Sequence, residues 1–463
     1  MCVSLKILLL CNLNIRREMK TIKVKNTRNI DVGGKPGDSL AQKTQLTSVA
    51  VSPSLYSHIR PKLLVKVGDS VKIGTPLFFD KQDERLVFVS PQSGAIGDII
   101  YGERRTIKHI VVEVKGEEYE AGNALTESDL SSSTVDSLKE TIIKQGLWSS
   151  FRQFPFLNIP KTSVELPSSI YISLDEDEPH YPKAGLFLKG NEEYFNFGVQ
   201  ALKKLFKNVN IAASKEDTLN LDLDLTHRLK GHYPANNEGA FLYANKQDAS
   251  ENQAFTMKPQ KVIQLGYMLK TGKYLNTKII TVAGSELNNP THMQVSEGIS
   301  LSDIFADETI KDTHRVIAGG IFRGRKAMMD EYLGGDDDSV HILSEDIKQD
   351  LFGFFKLGFN KPTLSRVYAY ALSPKKDLKL DTSLYGEDRS CISCGICPDV
   401  CPVGMHPQEV MKNLADNRTS EAMDLGLLDC TLCGLCTYAC PSKVELNDIF
   451  KQAKDGLYKE LNA

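Results

Sequence analysis

Eight of the 10 cysteines in this 463-residue chain fall into two short segments near the C-terminus. The segments are CISCGICPDVCP (391–402) and CTLCGLCTYACP (430–441), and each has the spacing C-x2-C-x2-C-x3-C-P. This spacing is typical of a [4Fe–4S] cluster held by thiolates. Three closely spaced cysteines bring their sulfurs to one side of a turn, and the proline after the fourth ends the local helix. The sequence therefore predicts two [4Fe–4S] clusters.

The pairing of the two segments follows from the same spacing. In two-cluster ferredoxins the fourth cysteine of each segment ligates the other cluster. Gly395 and Gly434 stand where a side chain would crowd the sulfides of a cluster. We therefore expect two ligand groups: Cys391, Cys394, Cys397 and Cys440 on one cluster, and Cys430, Cys433, Cys436 and Cys401 on the other.

Three alternatives to iron–sulfur ligation fit the cysteines less well. Zinc sites usually combine two well-separated C-x2-C pairs, whereas each segment here carries four cysteines. Disulfide frameworks are typical of small secreted chains, and this chain is long and has no convincing export signal. Buried free thiols would not repeat with one spacing. Iron–sulfur ligation and unpaired thiols both favour the reducing cytoplasm.

Length and composition bound the remaining possibilities. A chain of 463 residues suggests about three domains, and 41% hydrophobic with 25% charged residues is ordinary for globular proteins. The net charge of −3 gives no sign of a nucleic-acid partner. No stretch approaches the roughly 18 apolar residues that a transmembrane helix needs.

The first 18 residues form an unusual start. The run MCVSLKILLLCNLNIRREMK is short, contains Lys6 and lacks a small-residue cleavage site, so it makes a poor signal peptide. Met19 precedes KTIKVKNTRNIDVGG, which has the form of a domain start. We interpret 1–18 as a start-site extension, with a weak membrane-surface segment as the alternative. Cys2 and Cys11 receive no function.

The N-terminal region reads as short strands separated by glycine and proline. RPKLLVKVGDSVKIGTPLFFD (60–80) and LVFVSPQSGAIGDIIYGERRTIKHIVVEV (86–114) alternate apolar and polar residues. This pair of hairpins resembles the biotinyl/lipoyl-type barrel-sandwich hybrid. Lys81 lacks the flanking residues of a modified carrier lysine, so we interpret the module as a docking surface.

The middle of the chain predicts a parallel α/β domain. A strand at 168–182 is followed by a helix and a second strand within 191–214, and 222–245 reads as turn-rich. A nucleotide site would need a glycine-rich loop at a helix N-terminus, but KQGLWSSF offers the single Gly146. Trp148 is more typical of a core residue than of a cofactor-stacking one.

Two further turns carry charge. RVIAGGIFRGRKAM (315–328) places Arg323, Arg325 and Lys326 on a glycine turn that could meet a phosphate or a quinone headgroup; solvated charges on a tight turn are the simpler interpretation. YLGGDDDSVHI (332–342) is acidic but lacks a full EF-hand ligand set. Amphipathic helices at 407–417, 420–430 and 444–463 connect and close the cysteine region.

Segments spread along the chain resemble one family. TIKVKNTRNIDVGGKP, RPKLLVKVGDSVKIGTPLFFDK, SPQSGAIGDIIYGERR, GLWSSFRQFPF, YPANNEGAF, TVAGSELNNP and ALSPKKDLKLDTSLYGEDR resemble the NqrA family, the A subunits of the Na+-translocating NADH:quinone reductases, in family order from about Met19 to the end. A related family, the RnfC subunits of ferredoxin:NAD+ oxidoreductases, shares the architecture and carries two ferredoxin motifs.

The chain departs from each family at one place. Typical reductase A subunits keep only a remnant of the cysteine region, whereas all eight cysteines are present here, as in RnfC. RnfC in turn carries a glycine-rich nucleotide loop, and KQGLWSSF replaces it here, as in the reductase.

The resemblance implies an α+β multidomain fold with four domains. We expect a β barrel-sandwich hybrid (19–120), an α/β Rossmann-like domain (121–260), a small β-grasp-like SLBB domain (261–345) and a helical domain with the two ferredoxin motifs (346–463). The resemblance implies a peripheral protein on the cytoplasmic face of the bacterial inner membrane. Its expected partners are subunits B to F, especially the membrane subunit that carries the quinone site. No nucleic-acid partner is expected.

Three functions are compatible with these observations. In the first, NADH and quinone are substrates of the whole Na+-transporting NADH:ubiquinone reductase complex. This chain then relays electrons through its two clusters and binds no FMN. In the second, the chain is an RnfC-type subunit that binds NADH and FMN itself. In the third, the clusters are structural or redox-sensing parts of a scaffold.

Overall fold

The computed structural model describes residues 19–43, 46–175, 178–311, 313–345, 352–365, 367–372, 380–383 and 388–462. The predictions for the start-site extension, Cys2 and Cys11 concern positions outside the described residues.

The strands of the described part are short and spread over the first three quarters of the chain. They are β1 Lys20–Lys23, β2 Leu40–Gln42, β3 Ser48–Val51, β4 Pro61–Leu63, β5 Ser70–Val71, β6 Pro76–Asp80, β7 Asp83–Val89, β8 Gly94–Tyr101, β9 Ile107–Val114, β10 Arg152–Gln153, β11 Ser169–Ser173, β12 Asn208–Ala213, β13 His227–Lys230, β14 Phe255–Thr256, β15 Thr277–Ala283, β16 Thr291–Ser296, β17 His314–Ala318, β18 Arg325–Ala327 and β19 Ser339–Ser344.

The helices begin after β9 and dominate the C-terminal region. They are α1 Glu127–Ser132, α2 Val135–Lys144, α3 Ala184–Leu188, α4 Glu192–Leu205, α5 Glu216–Leu219, α6 Glu238–Asn245, α7 Pro259–Thr271, α8 Leu301–Ile304, α9 Ile396–Asp399, α10 Pro407–Ala415, α11 Thr419–Asp424, α12 Leu435–Tyr438 and α13 Leu446–Leu461.

The N-terminal module consists of two antiparallel sheets, β3-β9-β8-β5 and β4-β6-β7. Alternate residues of these strands face a shared core, where the rings of Phe78 and Phe88 stack with centroids 4.4 Å apart. Gly68 and Gly74 have φ of 91° and 96° at the turns, a conformation that a Cβ disfavours. The predicted hairpins are therefore present.

The second sheet has the order β1-β13-β12-β11-β14-β10. Its neighbours pair in parallel except β10 with β14, so the predicted parallel α/β arrangement is confirmed. Helices α4 and α7 cross at two glycines, where a Cβ on Gly266 would lie 1.8 Å from the Tyr194 carbonyl oxygen. This close approach packs the two helices directly against each other.

The segment 222–245 differs from its turn-rich prediction, because it contains β13 and α6. Strand β13 is only four residues long, too short for a clear alternation. Helix α6 is defined by its cap: Asn237 Oδ1 accepts hydrogen bonds from the backbone N–H groups of Gly239 and Ala240 at 3.0 and 3.3 Å.

A third sheet, β18-β17-β19-β15-β16-β2, packs against α8. Its central strands β15 and β19 are almost fully buried. The strand, turn, short strand and helix start predicted for 277–305 correspond to β15, β16 and α8.

The first two strands of the chain pair with strands outside the N-terminal module. Strand β1 pairs in parallel with β13 in the α/β sheet, and β2 pairs in parallel with β16 in the third sheet. Residues 19–43, the N-terminal arm, thus connect the first three domains.

The C-terminal region is helical, as predicted. Helices α10, α11 and α13 correspond to the helices predicted at 407–417, 420–430 and 444–463. They enclose a small core that includes Val410, Leu427 and Phe450, and four of the eight motif cysteines pack within this core or against it.

Candidate iron–sulfur sites

The first predicted ligand group converges on one cavity. Cys391, Cys394, Cys397 and Cys440 line one shared pocket whose other walls are mainly apolar. Cys391 and Cys394 come from the loop before α9, Cys397 from α9 itself, and Cys440 from the end of the second segment. The structure therefore brings together the four cysteines that the spacing assigns to one cluster.

This first site lies at the surface. Cys394 is exposed and the other three thiols are half-buried. The backbone N–H groups of Ser393 and Val444 donate to Sγ of Cys391 and Cys440, each at 3.4 Å. Such N–H···S contacts stabilise a thiolate and tune a bound cluster.

The second predicted group lies deeper. Cys401 and Cys433 are 7% and 8% exposed, and Cys430 and Cys436 are half-buried. Burial raises the pKa of the Cys433 thiol to about 12, and the neighbouring Cys430 and Cys401 contribute to that rise. Burial likewise raises the pKa of Cys401 to about 11, and it raises the pKa of Cys430 and of Cys436.

These raised pKa values bear on what the groups can hold. Buried thiols that repel one another as anions stay protonated unless a cation compensates them, and a bound metal deprotonates a coordinating thiol outright. No three His, Cys, Asp or Glu side chains of the described ranges converge on a single metal ion. A [4Fe–4S] cluster takes four separate cysteine thiolates, and the two four-thiol groups fit that demand.

The second site is fixed by side chains that sequence reasoning missed. Asn26 Nδ2 donates to the Cys401 carbonyl oxygen at 3.0 Å, Tyr233 Oη to that of Cys433 at 2.6 Å, and Lys454 Nζ to that of Cys430 at 2.8 Å. These donors come from the N-terminal arm, the α/β domain and α13. Local sequence patterns give no sign of such contacts between distant residues, apart from the position of Lys454 on the apolar face of an amphipathic helix.

Glu178 joins three domains next to this site. Its fully buried carboxylate accepts hydrogen bonds from the Phe322 backbone N–H at 2.6 Å and from Arg323 Nε at 2.9 Å. Tyr233 Oη lies 3.2 Å from the same carboxylate. The ring of Phe322 stacks on Tyr233 and meets Tyr438 edge-on. The α/β domain, the third sheet and the cysteine region are thereby packed as one unit.

The basic glycine turn is accounted for by ion pairs. Arg323 pairs with Glu178, and Arg325 lies 3.0 Å from Glu331 and 3.2 Å from Asp337. Lys326 lies 3.7 Å from Glu345. Intramolecular carboxylates therefore take up these charges, which supports neither a phosphate nor a quinone headgroup at the turn.

The acidic turn is neutralised in the same way. Asp336 pairs with Arg152, and Lys258 Nζ lies 2.8 Å from an Asp338 carboxylate oxygen. Burial alone would raise the pKa of Asp338, but Lys258 and Lys278 lower it below its ordinary value. Cations of the chain occupy the place that calcium would need.

The segment KQGLWSSF packs as core. Trp148 is 1% exposed and its Nε1 donates to the Pro160 carbonyl at 2.8 Å. A Cβ on Gly146 would lie 2.6 Å from Val89 Cγ1. The interpretation of Trp148 as a core residue is confirmed. Lys81 is exposed at the turn between β6 and β7, and its interpretation as an unmodified residue stays a prediction.

Comparison with known families accounts for most of the chain. Residues 22–115 match the NqrA N-terminal barrel-sandwich hybrid domain, 133–274 the NqrA second alpha/beta domain, and 279–328 the NQRA C-terminal domain. Residues 390–444 match a 4Fe-4S dicluster domain. With the architecture above, these matches confirm the predicted fold class.

Curated relatives align along nearly the whole length. The A subunit of the Na(+)-translocating NADH-quinone reductase from Marinomonas sp. (strain MWYL1) is 28% identical over 410 residues, covering 88% of this chain and 92% of the relative. The corresponding protein from Neisseria meningitidis serogroup B (strain ATCC BAA-335 / MC58) is 27% identical over 416 residues, with the same coverage of both chains.

Among solved structures, an NAD+-reducing [NiFe]-hydrogenase in the H2-reduced state matches with a TM-score of 0.33 and 12% identity, over 72% of this chain and 66% of that one. A similarity at this level carries no argument about function.

Proposed function

We propose that this chain, which belongs to the NqrA family of Na+-translocating NADH-quinone reductase components, is an iron–sulfur form of that family. NADH oxidation, quinone reduction and Na+ export belong to the whole complex. The observation that supports the proposal is the single pocket lined by Cys391, Cys394, Cys397 and Cys440, in a chain that matches a 4Fe-4S dicluster domain over 390–444 and otherwise matches the family.

The ligand assignment is part of the proposal. Cys391, Cys394, Cys397 and Cys440 would hold the first cluster, and Cys430, Cys433, Cys436 and Cys401 the second. When bound, such clusters supply one-electron transfer at potentials that the protein tunes.

The residues of the chain itself contribute three things. The hydrogen bonds from Asn26, Tyr233 and Lys454 to main-chain carbonyls orient the loops of the second group. Apolar neighbours such as Val403 and Leu435 keep water from that group. Backbone N–H groups at the first site stabilise the thiolates of Cys391 and Cys440.

Partners and location complete the proposal. We infer that the chain assembles with subunits B to F, contacts the membrane component that carries the quinone site, and lies on the cytoplasmic face of the inner membrane. None of the helices in the described residues is both long and apolar enough to cross a bilayer. The domain boundaries 19–120, 121–260, 261–345 and 346–463 belong to the same proposal.

The first experiment is EPR spectroscopy of the anaerobically purified full chain before and after dithionite, with iron and sulfide assays. About eight irons per chain and a reducible signal from two interacting clusters are expected. Zinc, or no metal, in the same preparation would contradict the proposal.

A second experiment tests the crossed ligation. Cys440→Ser should disturb the first cluster although Cys440 belongs to the second segment, and Cys401→Ser should disturb the second cluster. If each substitution instead affects the cluster of its own segment, the assignment is wrong.

An RnfC-type role is the alternative that one feature favours. A pocket beside Gly146 is lined by Tyr56 and Arg152, at the junction of the first three domains. Retention of FMN by the purified chain, or a shift of its melting temperature on adding NADH, would favour this alternative. The charge of Arg152 is already paired with Asp336, which disfavours a phosphate there.

A further inference from the structure

A lysine occupies a core position beside the second cysteine group. Helix α13 buries Leu446, Phe450, Lys454 and Leu457 on one face, and Lys454 is 4% exposed. The neighbouring Lys451 and Lys459 on the same helix point to solvent, as lysines usually do. Lys454 therefore stands where the helical pattern favours an apolar side chain.

The contacts of Lys454 single it out further. Its Nζ donates to the main-chain carbonyl oxygens of Cys430 at 2.8 Å and Leu428 at 3.3 Å, rather than to a carboxylate. Burying an ammonium group is costly unless a negative charge compensates it. The two carbonyl oxygens accept two of its three N–H groups but carry no net charge, so the compensating charge has to come from nearby.

The second cysteine group is the anionic partner that fits. The Nζ of Lys454 lies 2.8 Å from the main-chain oxygen of Cys430, so the ammonium group stands directly beside a residue of that group. The carboxylates of Asp429 and Asp455 belong to neighbouring positions of the sequence. The lysine and the ligand thus interact through a region with little water, where charges act strongly on each other.

The first site has a different arrangement of charge. Lys412, which donates to Ser393 Oγ at 3.2 Å, is exposed and shares its charge with Glu409 at 4.0 Å. Solvent and counterions screen such a group, whereas they screen a buried ammonium much less.

We propose that Lys454 is a positioning residue whose buried positive charge would raise the reduction potential of a [4Fe–4S] cluster held by the second cysteine group. The inference rests on the proposed function, because it presupposes both clusters. A fixed positive charge favours the more negative, reduced state.

The test is an EPR-monitored redox titration of the anaerobically purified full chain. Lys454→Gln keeps a hydrogen-bond donor and removes the charge. At the wild-type midpoint potential of the second cluster, its ratio of reduced to oxidised form is expected to fall about tenfold, which corresponds to about 59 mV for a one-electron couple. The first cluster should titrate as in the wild type.

Matched variants separate charge from structure. Lys451→Gln changes an exposed lysine on the same helix and should leave both potentials unchanged, and Lys454→Arg should restore most of the shift. Lys454→Met also removes the donor, and its shift should match that of Lys454→Gln. Tyr233→Phe removes a neutral donor to a carbonyl of the same site and should shift the potential far less.

Two outcomes overturn the inference. Unchanged potentials in Lys454→Gln, with both clusters present, show that the charge does not act on the cluster. Loss of the second cluster in Lys454→Gln, with iron retained in Lys451→Gln, assigns Lys454 a structural role instead. Absence of iron from the wild-type chain contradicts the proposed function itself and is recognised before any variant is titrated.

Discussion

The two cysteine groups have the same spacing in the sequence and different surroundings in the structure. At the first, Cys394 is exposed and a Cβ on Gly395 would meet nothing within 4 Å. At the second, Cys401 and Cys433 are buried, and a Cβ on Gly434 would lie 3.1 Å from the Phe322 carbonyl oxygen. Two motifs of identical spacing thus acquire different surroundings from the segments packed around them: an open site at the surface and an enclosed site between packed segments.

The largest expected effect comes from removing one ligand at each site. Cys433→Ser should lose the second cluster and destabilise the C-terminal region by more than about 4 kcal/mol, because the group lies between packed domains. Cys394→Ser should lose only the first cluster, leaving about four irons and a folded tail. Iron assays and thermal unfolding measure both. Equal destabilisation by the two substitutions would remove the contrast between the sites.

A second prediction concerns chemical access to the intact protein. Treatment of the oxidised chain with ferricyanide and a chelator should remove iron from the first site several-fold faster, because Cys394 is open to solvent. EPR followed over time, with wild-type and Cys394→Ser proteins compared, identifies which cluster disappears first. In Cys394→Ser the fast phase should be missing; its persistence there would contradict the assignment.

A matched pair of glycines sharpens the comparison. Gly395 and Gly434 both have φ of 77°, so alanine at either should cost about 1–2 kcal/mol in backbone strain. Gly434→Ala should cost about 1–3 kcal/mol more, because its methyl group meets the Phe322 carbonyl. Urea unfolding of the two cluster-loaded variants gives the difference directly. Equal costs would show that Phe322 does not press on the second site.

The smallest losses of stability are expected from removing single polar groups beside the cysteines. Tyr233→Phe removes the donor to the Cys433 carbonyl and should cost about 1 kcal/mol. Gln408→Leu, which removes an amide whose Oε1 lies 3.0 Å from Cys397 Sγ at the first site, should cost less than about 0.5 kcal/mol because that side chain is half-exposed. Melting temperatures of the two variants, with iron content as the control for loading, test the ranking.

The predictable part of the sites is the part that local spacing controls. The cysteine period indicated both ligand groups, and the amphipathic patterns indicated α10 and α13, because each depends on residues within a few turns of one another. Asn26, Tyr233 and Glu178 make their contacts at the second site across 375, 200 and 144 residues of sequence. Such contacts depend on the packing of domains, which periodicity does not report.

The charged turns are a second case in which contacts between distant residues could not be predicted from the sequence. The arginines of 315–328 and the aspartates of 332–342 could each be interpreted as half of a ligand site. Three of their partners, Glu178, Arg152 and Lys258, lie far away in the sequence, so only the structure reveals that the charges of Arg323, Asp336 and Asp338 are already paired. Likewise, no pattern in β1 indicates that it joins the α/β sheet rather than the neighbouring hairpins.

The position of β1 has a consequence for biosynthesis. Its partner β13 is translated roughly 200 residues later, which corresponds to roughly 10–40 s at about 5–20 residues per second. Throughout that interval the nascent chain exposes a strand without its sheet, while the hairpins that follow it can already close. The strands of the N-terminal module therefore emerge from the ribosome before β1 can pair with β13. The α/β sheet gains β1 at its edge only after β13 has been synthesised.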